Sequence, residues 1–368
     1  MAKSWQETIH LDDAVDVHYS NQDHSRKFTP ILTAVVDDGC DVAHPCLSGL
    51  LEEPLSFDPT TQSLLAAKSS HGTLSCGLVS GHPKDLYLGG AAPPDATRLL
   101  PVRYNKLSDG IEPEIEMYKT IVNRGVYVIS NSFGFGALNN VETLRMREEI
   151  DKMAATARDG KGCLFVFAAG NEGRQLEANK TLCSKYTLLV SATLIVPTKQ
   201  GDITDEGFKT QYKPLFNTRQ SQEFKLFRSN HGSGITVCAP GGDVRGLRPV
   251  SLANQGTGDE KLHASKNYDY HADTSAACAM VAGVLTLMFA ANPSLSALDA
   301  KHILCDTADQ VDPNCPDDGQ WGPAQQKIEI QHRPAIDPRL TIKPYSRWYG
   351  FGRVNAAAAV TRAIALRG

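Results

Sequence analysis

The chain has 368 residues, of which 41% are hydrophobic and 7% aromatic, and its formal net charge is -4 at pH 7. This composition is typical of a globular protein that buries a substantial core in one large domain or two ordinary ones. The low charge and the absence of a Lys/Arg run argue against a nucleic-acid partner, and no apolar run approaches the ~18 residues that a membrane span needs.

The N-terminal residues and the cysteines favour a cytoplasmic location, if Met1 is the natural start. Residues 1–7 carry charge with no apolar stretch behind them, so they do not form a secretory signal. The nine cysteines are scattered through apolar runs, and none has the Cys-x-x-Cys spacing of zinc ribbons or thioredoxin-like sites. We expect reduced, mostly buried thiols, with neither a metal site nor a cofactor.

The first strand is preceded by a polar stretch, residues 1–30, which predicts an N-terminal arm lying on the surface of the domain. Ile31–Val36 is then a β-branched run typical of a strand buried on both faces of a parallel sheet. The run stops at Asp37 and Asp38. Because ligands bind beyond the carboxyl ends of strands in such sheets, these carboxylates are candidates for chemistry.

Strand and helix patterns alternate down the rest of the chain. Strands are predicted near 99–104, 126–130, 163–167, 187–192 and 235–240, and helices over 112–124 and 141–158, from Ser275, after Pro293 and at the C-terminus. The alternation indicates an α/β fold, with three layers (α/β/α) around a mostly parallel central sheet. No repeat or linker divides residues 31–368, so they form one predicted domain, with surface excursions at about 197–230 and 313–347.

Four polar residues stand at strand ends or helix starts that are far apart in the sequence. Asp37 closes the first strand, His71 begins a small-residue helix, Asn171 follows a strand, and Ser275 begins a long apolar helix. Each alone fits a turn or a helix cap. Together they supply the parts that acyl transfer requires: a hydroxyl nucleophile, an imidazole base, a carboxylate that orients it and an amide donor for the oxyanion.

The motifs around these residues resemble those of the subtilisin-like serine proteases, or subtilases. The matching stretches are Val35–Gly39, Ser70–Thr73, Asn131–Gly134, Ala168–Gly173, Asn230–Gly232, Thr274–Ala277 and Trp348–Ala356. They extend from about Ile31 to the C-terminus in the order Asp, His, Ser of that family. The resemblance implies the subtilisin-like version of the α/β/α fold and the activity of a serine protease, a hydrolase.

The resemblance also implies roles. Asp37 orients the imidazole, His71 is general base and then acid, Ser275 is the nucleophile, and Asn171 is the oxyanion donor. A substrate strand is expected along Ser132, Phe133 and Gly134, paired through the backbone. The sequence around Asp38 and after Ser275 is closer to the kexin-like branch, in which the residue matching Asp38 faces a basic substrate residue.

Three positions depart from the family pattern. Asp273 stands where the family has Gly, so we expect it either to raise the pKa of His71 or to require a readjusted backbone. Ala279 replaces the usual proline. Cys46 replaces an aspartate that serves a structural calcium in many relatives, so the sequence does not imply calcium.

The favoured hypothesis is an intracellular serine endopeptidase that cleaves protein or peptide substrates through an acyl-enzyme intermediate. Because no pro-domain is recognisable in the sequence, we expect a protein partner, a ligand or the 1–30 arm to restrain it. An alternative is a peptide-processing acyltransferase or macrocyclase whose excursions shield the acyl-enzyme from water. Another is a catalytically weakened subtilase that serves as a binding subunit, for which Asp273 and Ala279 are the support.

Overall fold

A mostly parallel β-sheet runs through the computed structural model of the protein. The structure describes residues 4–21, 29–58, 60, 69–85, 87–105, 110–133, 140–176, 182–195, 223–243, 249–316, 319–327 and 337–367. Its strands are β1 (Ile31–Asp37), β2 (Leu55–Phe57), β3 (Thr97–Tyr104), β4 (Val128–Asn131), β5 (Leu164–Ala168), β6 (Thr187–Ile195), β7 (Glu223–Lys225) and β8 (Val237–Asp243).

The strand order is β2-β3-β1-β4-β5-β6, with β8 parallel and β7 antiparallel to β6. Antiparallel pairs form between β9 (Val250–Leu252) and β10 (Tyr268–Tyr270), and between β11 (Gly322–Pro323) and β12 (Pro344–Tyr345). The helices are α1 (Trp5–Thr8), α2 (Leu11–Ser20), α3 (His71–Val79), α4 (Glu112–Asn123), α5 (Asn140–Thr156), α6 (Asp273–Ala291), α7 (Ala297–Asp306), α8 (Ala324–Lys327) and α9 (Ala356–Ala365).

The sheet has a hydrophobic core on each face. Val35 of β1 packs in the core formed with α3 and α6, whereas its neighbour Val36 packs in the core formed with α4 and α5. Successive side chains of a strand point to opposite faces, so the unbroken apolar run of β1 needs apolar partners on both sides. This arrangement confirms the predicted three-layer α/β/α fold.

Helix α6 is the central helix of the protein. From Thr274 to Ala291 every residue is buried. Its length and apolar composition alone are sufficient for a membrane span, so the expectation that no apolar run is long enough was wrong. The whole helix is enclosed by the protein, however, as is typical of the core helix of a globular domain.

Residues 4–21 contribute to the core, which corrects the prediction of a weakly patterned surface arm. A capping box between Ser4 and Glu7 begins α1, and Ile9 and Leu11 are buried in the same core as α6. The backbone N–H of Ala356, at the start of α9, donates to the carbonyl of Ile9 at 2.8 Å. The prediction failed because short helices with few apolar residues give little periodic signal.

The two segments predicted as surface excursions also contribute described residues to the sheet and the core. Residues 196–222 lie outside the described residues, but β7 belongs to the central sheet. Within 313–347, Leu340 and Tyr345 are buried, and the Tyr345 hydroxyl donates to the carbonyl of Ile235 at 2.8 Å. The described parts of these segments therefore pack against the domain.

Candidate active site

Polar side chains collect at one edge of the sheet, where three neighbouring parallel strands end. Asp37 is the last residue of β1, Ser132 directly follows β4, and Asn171 lies three residues beyond β5. Strand β4 pairs with both β1 and β5. Because α3 and α6 pack against each other and against β1, their amino ends bring His71 and Ser275 to this edge.

Asp37 and His71 form a hydrogen-bonded pair. His71 Nδ1 lies 2.8 Å from Asp37 Oδ1, which also accepts a hydrogen bond from the backbone N–H of Asp38 at 2.8 Å. Burial opposes ionisation of Asp37, but the charge and hydrogen bond of His71 hold the pKa of this carboxyl below its usual value. Since a carboxylate only accepts, His71 carries a proton on Nδ1 and directs Nε2 away from Asp37.

The first turn of α3 fixes the position of His71. Its backbone N–H donates to Ser69 Oγ at 3.1 Å, and that of Gly72 donates to Asp38 Oδ1 at 2.9 Å. Acceptors at these N–H groups stabilise the helix start. A Cβ atom at Gly72 would lie 1.9 Å from the carbonyl oxygen of Gly39, so only glycine allows α3 to approach the end of β1 this closely.

His71 is protonated at neutral pH in this state. Burial lowers the pKa of the imidazole, but the charges of Asp37 and Asp38 and the hydrogen bond to Asp37 raise it to about 9. An imidazolium has no lone pair to accept a hydroxyl proton. The site therefore needs His71 to lose a proton before it can act as a general base.

Ser275 lies in the first turn of α6 and is buried. Its hydroxyl donates to the carbonyl of Ser132 at 3.0 Å, and the Ser132 hydroxyl donates back to the carbonyl of Ser275 at 3.1 Å. Within the described residues, no hydrogen bond joins the Ser275 hydroxyl to His71. The backbone N–H of Ser275 has no acceptor in the described parts of the chain, and the helix dipole there favours negative charge.

Asn171 is held with its amide oxygen against the start of α6. Asn171 Oδ1 accepts from the backbone N–H of Thr274 at 3.1 Å and from Thr274 Oγ1 at 2.7 Å. Both are donors, so this contact fixes which end of the amide is oxygen. The described residues provide no acceptor for Nδ2, so this amide N–H, beside the start of α6, is available to a ligand.

Thr274 and Asn230 support this arrangement, and neither was predicted from the sequence to have a role. Thr274 Oγ1 also accepts from the backbone N–H of Gly170 at 3.1 Å. Asn230 Oδ1 accepts from the backbone N–H groups of Glu172 and Arg174 at 3.2 and 3.1 Å, which fixes the turn after β5. Thr274 adjoins Ser275, a signal that sequence reasoning could have used. Asn230 lies in a motif already noted, but its contact with the turn needs the tertiary structure.

Asp273 adopts a left-handed backbone, with φ of 60°. Asp tolerates this conformation better than most non-glycine residues, so the start of α6 accommodates Asp273 in a left-handed backbone that favours glycine. Its carboxylate lies 3.4 Å from Arg228 Nη1. The carboxylates that raise the pKa of His71 are Asp37 and Asp38, so the expectation that Asp273 does so is not met.

The predicted substrate-binding residues divide into three that the structure describes and one that it does not. Asp38 is partly exposed beside the start of α3, and Ser132 contacts Ser275. Phe133 packs against Tyr104, with ring centroids 5.4 Å apart. Gly134 lies outside the described residues. No three His, Cys, Asp or Glu side chains in the described ranges are placed to hold a metal ion.

Two further polar side chains reach the Asp37–His71 pair. Ser75 Oγ donates to Asp37 Oδ2 at 2.9 Å and lies 3.1 Å from His271 Nε2. Ser75 follows His71 by four residues on α3, a spacing that places both on one face of a helix and that the sequence analysis did not use. His271 comes from the segment before α6, and no sequence spacing relates it to the other two.

Known proteins resemble this chain over most of its length. The subtilase family model matches residues 30–332. A calcium-dependent protease of Trichormus variabilis is 25% identical over 358 residues, which cover 91% of this chain and 47% of that protein. Proprotein convertase subtilisin/kexin type 6 of Homo sapiens is 23% identical over 353 residues, covering 90% and 30%. The chain therefore spans less than half the length of these relatives.

A solved structure shows the same fold. The serine protease of Aeromonas sobria, in complex with its chaperone, matches with a TM-score of 0.63 at 17% sequence identity, over 92% of this chain and 60% of that one. The likeness confirms the subtilisin-like form of the α/β/α architecture.

Proposed function

Since the chain belongs to the subtilase family, we propose that it is a serine endopeptidase that cleaves protein or peptide substrates through an acyl-enzyme intermediate. The observation that carries the proposal is the 2.8 Å Asp37–His71 hydrogen bond at the sheet edge where α6 presents Ser275. Asp37 is the orienting carboxylate, His71 the base and then acid, Ser275 the nucleophile, and Asn171 the oxyanion donor.

The chemistry begins with two changes from the resting geometry. His71 loses the proton on Nε2, and the Ser275 hydroxyl turns from the Ser132 carbonyl toward that nitrogen. Ser275 then attacks the peptide carbonyl and passes its proton to His71, whose new charge Asp37 stabilises. Asn171 Nδ2 and the backbone N–H of Ser275 donate to the oxyanion, and His71 returns the proton to the leaving amine. In the second half of the reaction His71 takes a proton from water, which attacks the acyl carbonyl, and His71 then protonates Ser275 Oγ as the carboxylic acid product leaves.

We propose that the substrate strand follows Ser132, Phe133 and Gly134 and that Asp38 faces a basic side chain of the substrate. The partly exposed carboxylate of Asp38 beside His71 supports this assignment. A buried or fully paired Asp38 would have argued against it, because such a charge is not available to a ligand.

We propose that a protein partner or ligand controls the enzyme. The resting site supports this view, because His71 is protonated and Ser275 hydrogen-bonds elsewhere. The position of the N-terminal arm does not support the alternative, in which the arm itself restrains the active site. Arg367 donates to the carbonyls of Asn21 and Ala291, so the end of α2 lies at the carboxyl end of α6. Ala291 follows Ser275 by 16 residues of this helix, which places that end about 24 Å from Ser275.

We also propose a cytoplasmic location. All nine cysteines are free and buried, as expected of a protein in a reducing compartment. Fractionation of the source cells, with detection of the native protein, tests this assignment. Recovery outside the cytoplasm would contradict it.

The decisive experiment for the activity is labelling with a fluorophosphonate probe between pH 7 and 10, with and without cell extract. We expect the wild type to label at Ser275, labelling to increase with pH as His71 deprotonates, and Ser275→Ala to remain unlabelled. Ser191→Ala, a buried serine on β6, is the matched control and should label like the wild type. If the folded wild type does not label under any of these conditions, the binding-subunit hypothesis replaces the protease.

A further inference from the structure

A chain of hydrogen bonds continues from the catalytic carboxylate away from His71. Ser75 is fully buried, and its hydroxyl oxygen lies 2.9 Å from Asp37 Oδ2 and 3.1 Å from His271 Nε2. Oδ1 of the same carboxylate already accepts from His71 and from the backbone N–H of Asp38. Each carboxylate oxygen of Asp37 thus has its own donors.

The charge of Asp37 determines which group donates in each of these hydrogen bonds. The pKa of Asp37 is held low, so its carboxylate is ionised and can only accept. Ser75 has a single proton, which it must donate to Oδ2. The Ser75 oxygen therefore accepts from His271, and His271 carries its proton on Nε2.

His271 also packs against the catalytic imidazole itself. The two ring centroids are 4.9 Å apart and the ring planes are nearly perpendicular, at 89°. Its backbone N–H donates to the carbonyl of Pro249 at 2.8 Å, which anchors the residue before α6. Burial, together with the charge of His71, lowers the pKa of His271 to about 3, so this ring stays neutral at every pH at which His71 can act.

We propose that Ser75 and His271 are positioning residues of the catalytic site: His271 orients the Ser75 hydroxyl toward Asp37 and supports the ring of His71. The proposal rests on the proposed protease function. The hydrogen bond from the Ser75 hydroxyl partly offsets the negative charge that Asp37 presents to His71. These hydrogen bonds therefore limit how far Asp37 and Asp38 raise the pKa of His71.

The titratable groups around His71 define how a substitution could change its pKa. Asp37 and Asp38 at the end of β1 are the carboxylates that act on it, and His271 is the titratable ring against it. Asp37 and His71 are in turn the titratable groups that act on His271. A change at Ser75 or His271 therefore reaches His71 through Asp37 or through the ring contact.

The test is a double-mutant cycle read by NMR titration of His71 in the Ser275→Ala background, which requires no catalytic activity. We expect Ser75→Ala to raise the pKa of His71 by roughly half a unit, because the unshielded carboxylate stabilises the imidazolium more strongly. His271→Phe should raise it by less, and the double variant should match Ser75→Ala, since both changes break one chain.

Conservative variants separate this role from a structural one. Ser75→Thr keeps the hydroxyl and His271→Gln keeps an N–H donor, so both should retain a wild-type pKa of His71. His18→Phe and Ser191→Ala alter a buried histidine and a buried serine elsewhere, and should leave it unchanged. With Ser275 restored, Ser75→Ala should lower kcat about tenfold with KM nearly constant.

Two results would overturn the proposal. One is an unchanged His71 pKa in folded Ser75→Ala or His271→Phe, and the other is shifts that add in the double variant. A wild type that the probe does not label would instead disprove the protease function. The NMR cycle would still report whether the hydrogen-bond chain exists.

Discussion

Asp38 illustrates how one residue in this site can have two effects. Its Oδ1 accepts the backbone N–H of Gly72 and so helps to hold the start of α3. Its charge also adds to that of Asp37 in raising the pKa of His71 to about 9. The first effect needs an oxygen at this position and the second needs a negative charge, so an isosteric amide can separate them.

The Asp38→Asn variant should move the acid limb of kcat/KM to lower pH. A general base is active only when deprotonated, so we expect wild-type activity to rise as pH approaches the His71 pKa of about 9. Removing the charge of Asp38 lowers that pKa, while the Asn oxygen still accepts from Gly72. The measurement is a pH profile on a peptide without basic residues, which separates this effect from substrate recognition.

The control for this profile is Asp16→Asn, a charge removal at an exposed position of α2. It should leave the limb in place. A limb that stays or moves to higher pH in Asp38→Asn would show that Asp38 does not act on His71.

At the scale of elements, long apolar patterns were predictable and short ones were not. The predicted strand at 163–167 is β5 at Leu164–Ala168, and the helix predicted over 112–124 is α4 at Glu112–Asn123. Strand β7 and helix α1, of three and four residues, gave no periodic signal, because their stability comes from pairing with β6 and from the core.

The residues of the candidate site differ in the same way in how far the sequence predicts them. Asp37, His71, Asn171 and Ser275 stand at or just beyond the ends of predictable elements, so sequence motifs singled them out as candidates. His271, which reaches Asp37 only through Ser75, depends on how the segment before α6 packs, and one sequence does not contain that information.

Close packing between elements at Gly283 leads to a prediction about stability. A Cβ atom there would lie 2.6 Å from the Cβ of Ala91 and 2.8 Å from the carbonyl oxygen of Val79, at the contact of α6 with α3. Gly→Ala in a helix interior otherwise stabilises by roughly 0.5–1 kcal/mol. We expect the clash to outweigh this, so that Gly283→Ala lowers the free energy of unfolding by about 1–3 kcal/mol.

Denaturant unfolding of Gly283→Ala against Gly242→Ala measures the effect. A Cβ at Gly242 meets no atom within 4 Å, so this control should be close to neutral. Equal stability of the two variants would mean that α3 and α6 can separate at no cost, which would also weaken the argument that their contact holds His71 beside Ser275.

The described part of the molecule is organised along α6, with the candidate active site at its amino end and a set of structural contacts at its carboxyl end. There α2 packs on α9, and Arg367 joins Asn21 to Ala291. Residues near the N-terminus thus pack on the C-terminal helix and accept a hydrogen bond from Arg367 after it. If their role is to hold the fold, a defect among them should change stability without changing the chemistry.

Substitution of Ile9 tests this separation of stability from catalysis. Ile9 is fully buried, so Ile9→Ala should lower the free energy of unfolding by about 2–5 kcal/mol through lost burial and a residual cavity. Ile342→Ala removes the same atoms from a side chain that is 76% exposed and should change it little. Per active site titrated with the fluorophosphonate probe, kcat below the unfolding transition should equal that of the wild type in both variants. A rise in kcat or in the rate of labelling of Ile9→Ala would mean that the N-terminal residues restrain the active site after all, despite the length of α6 between them.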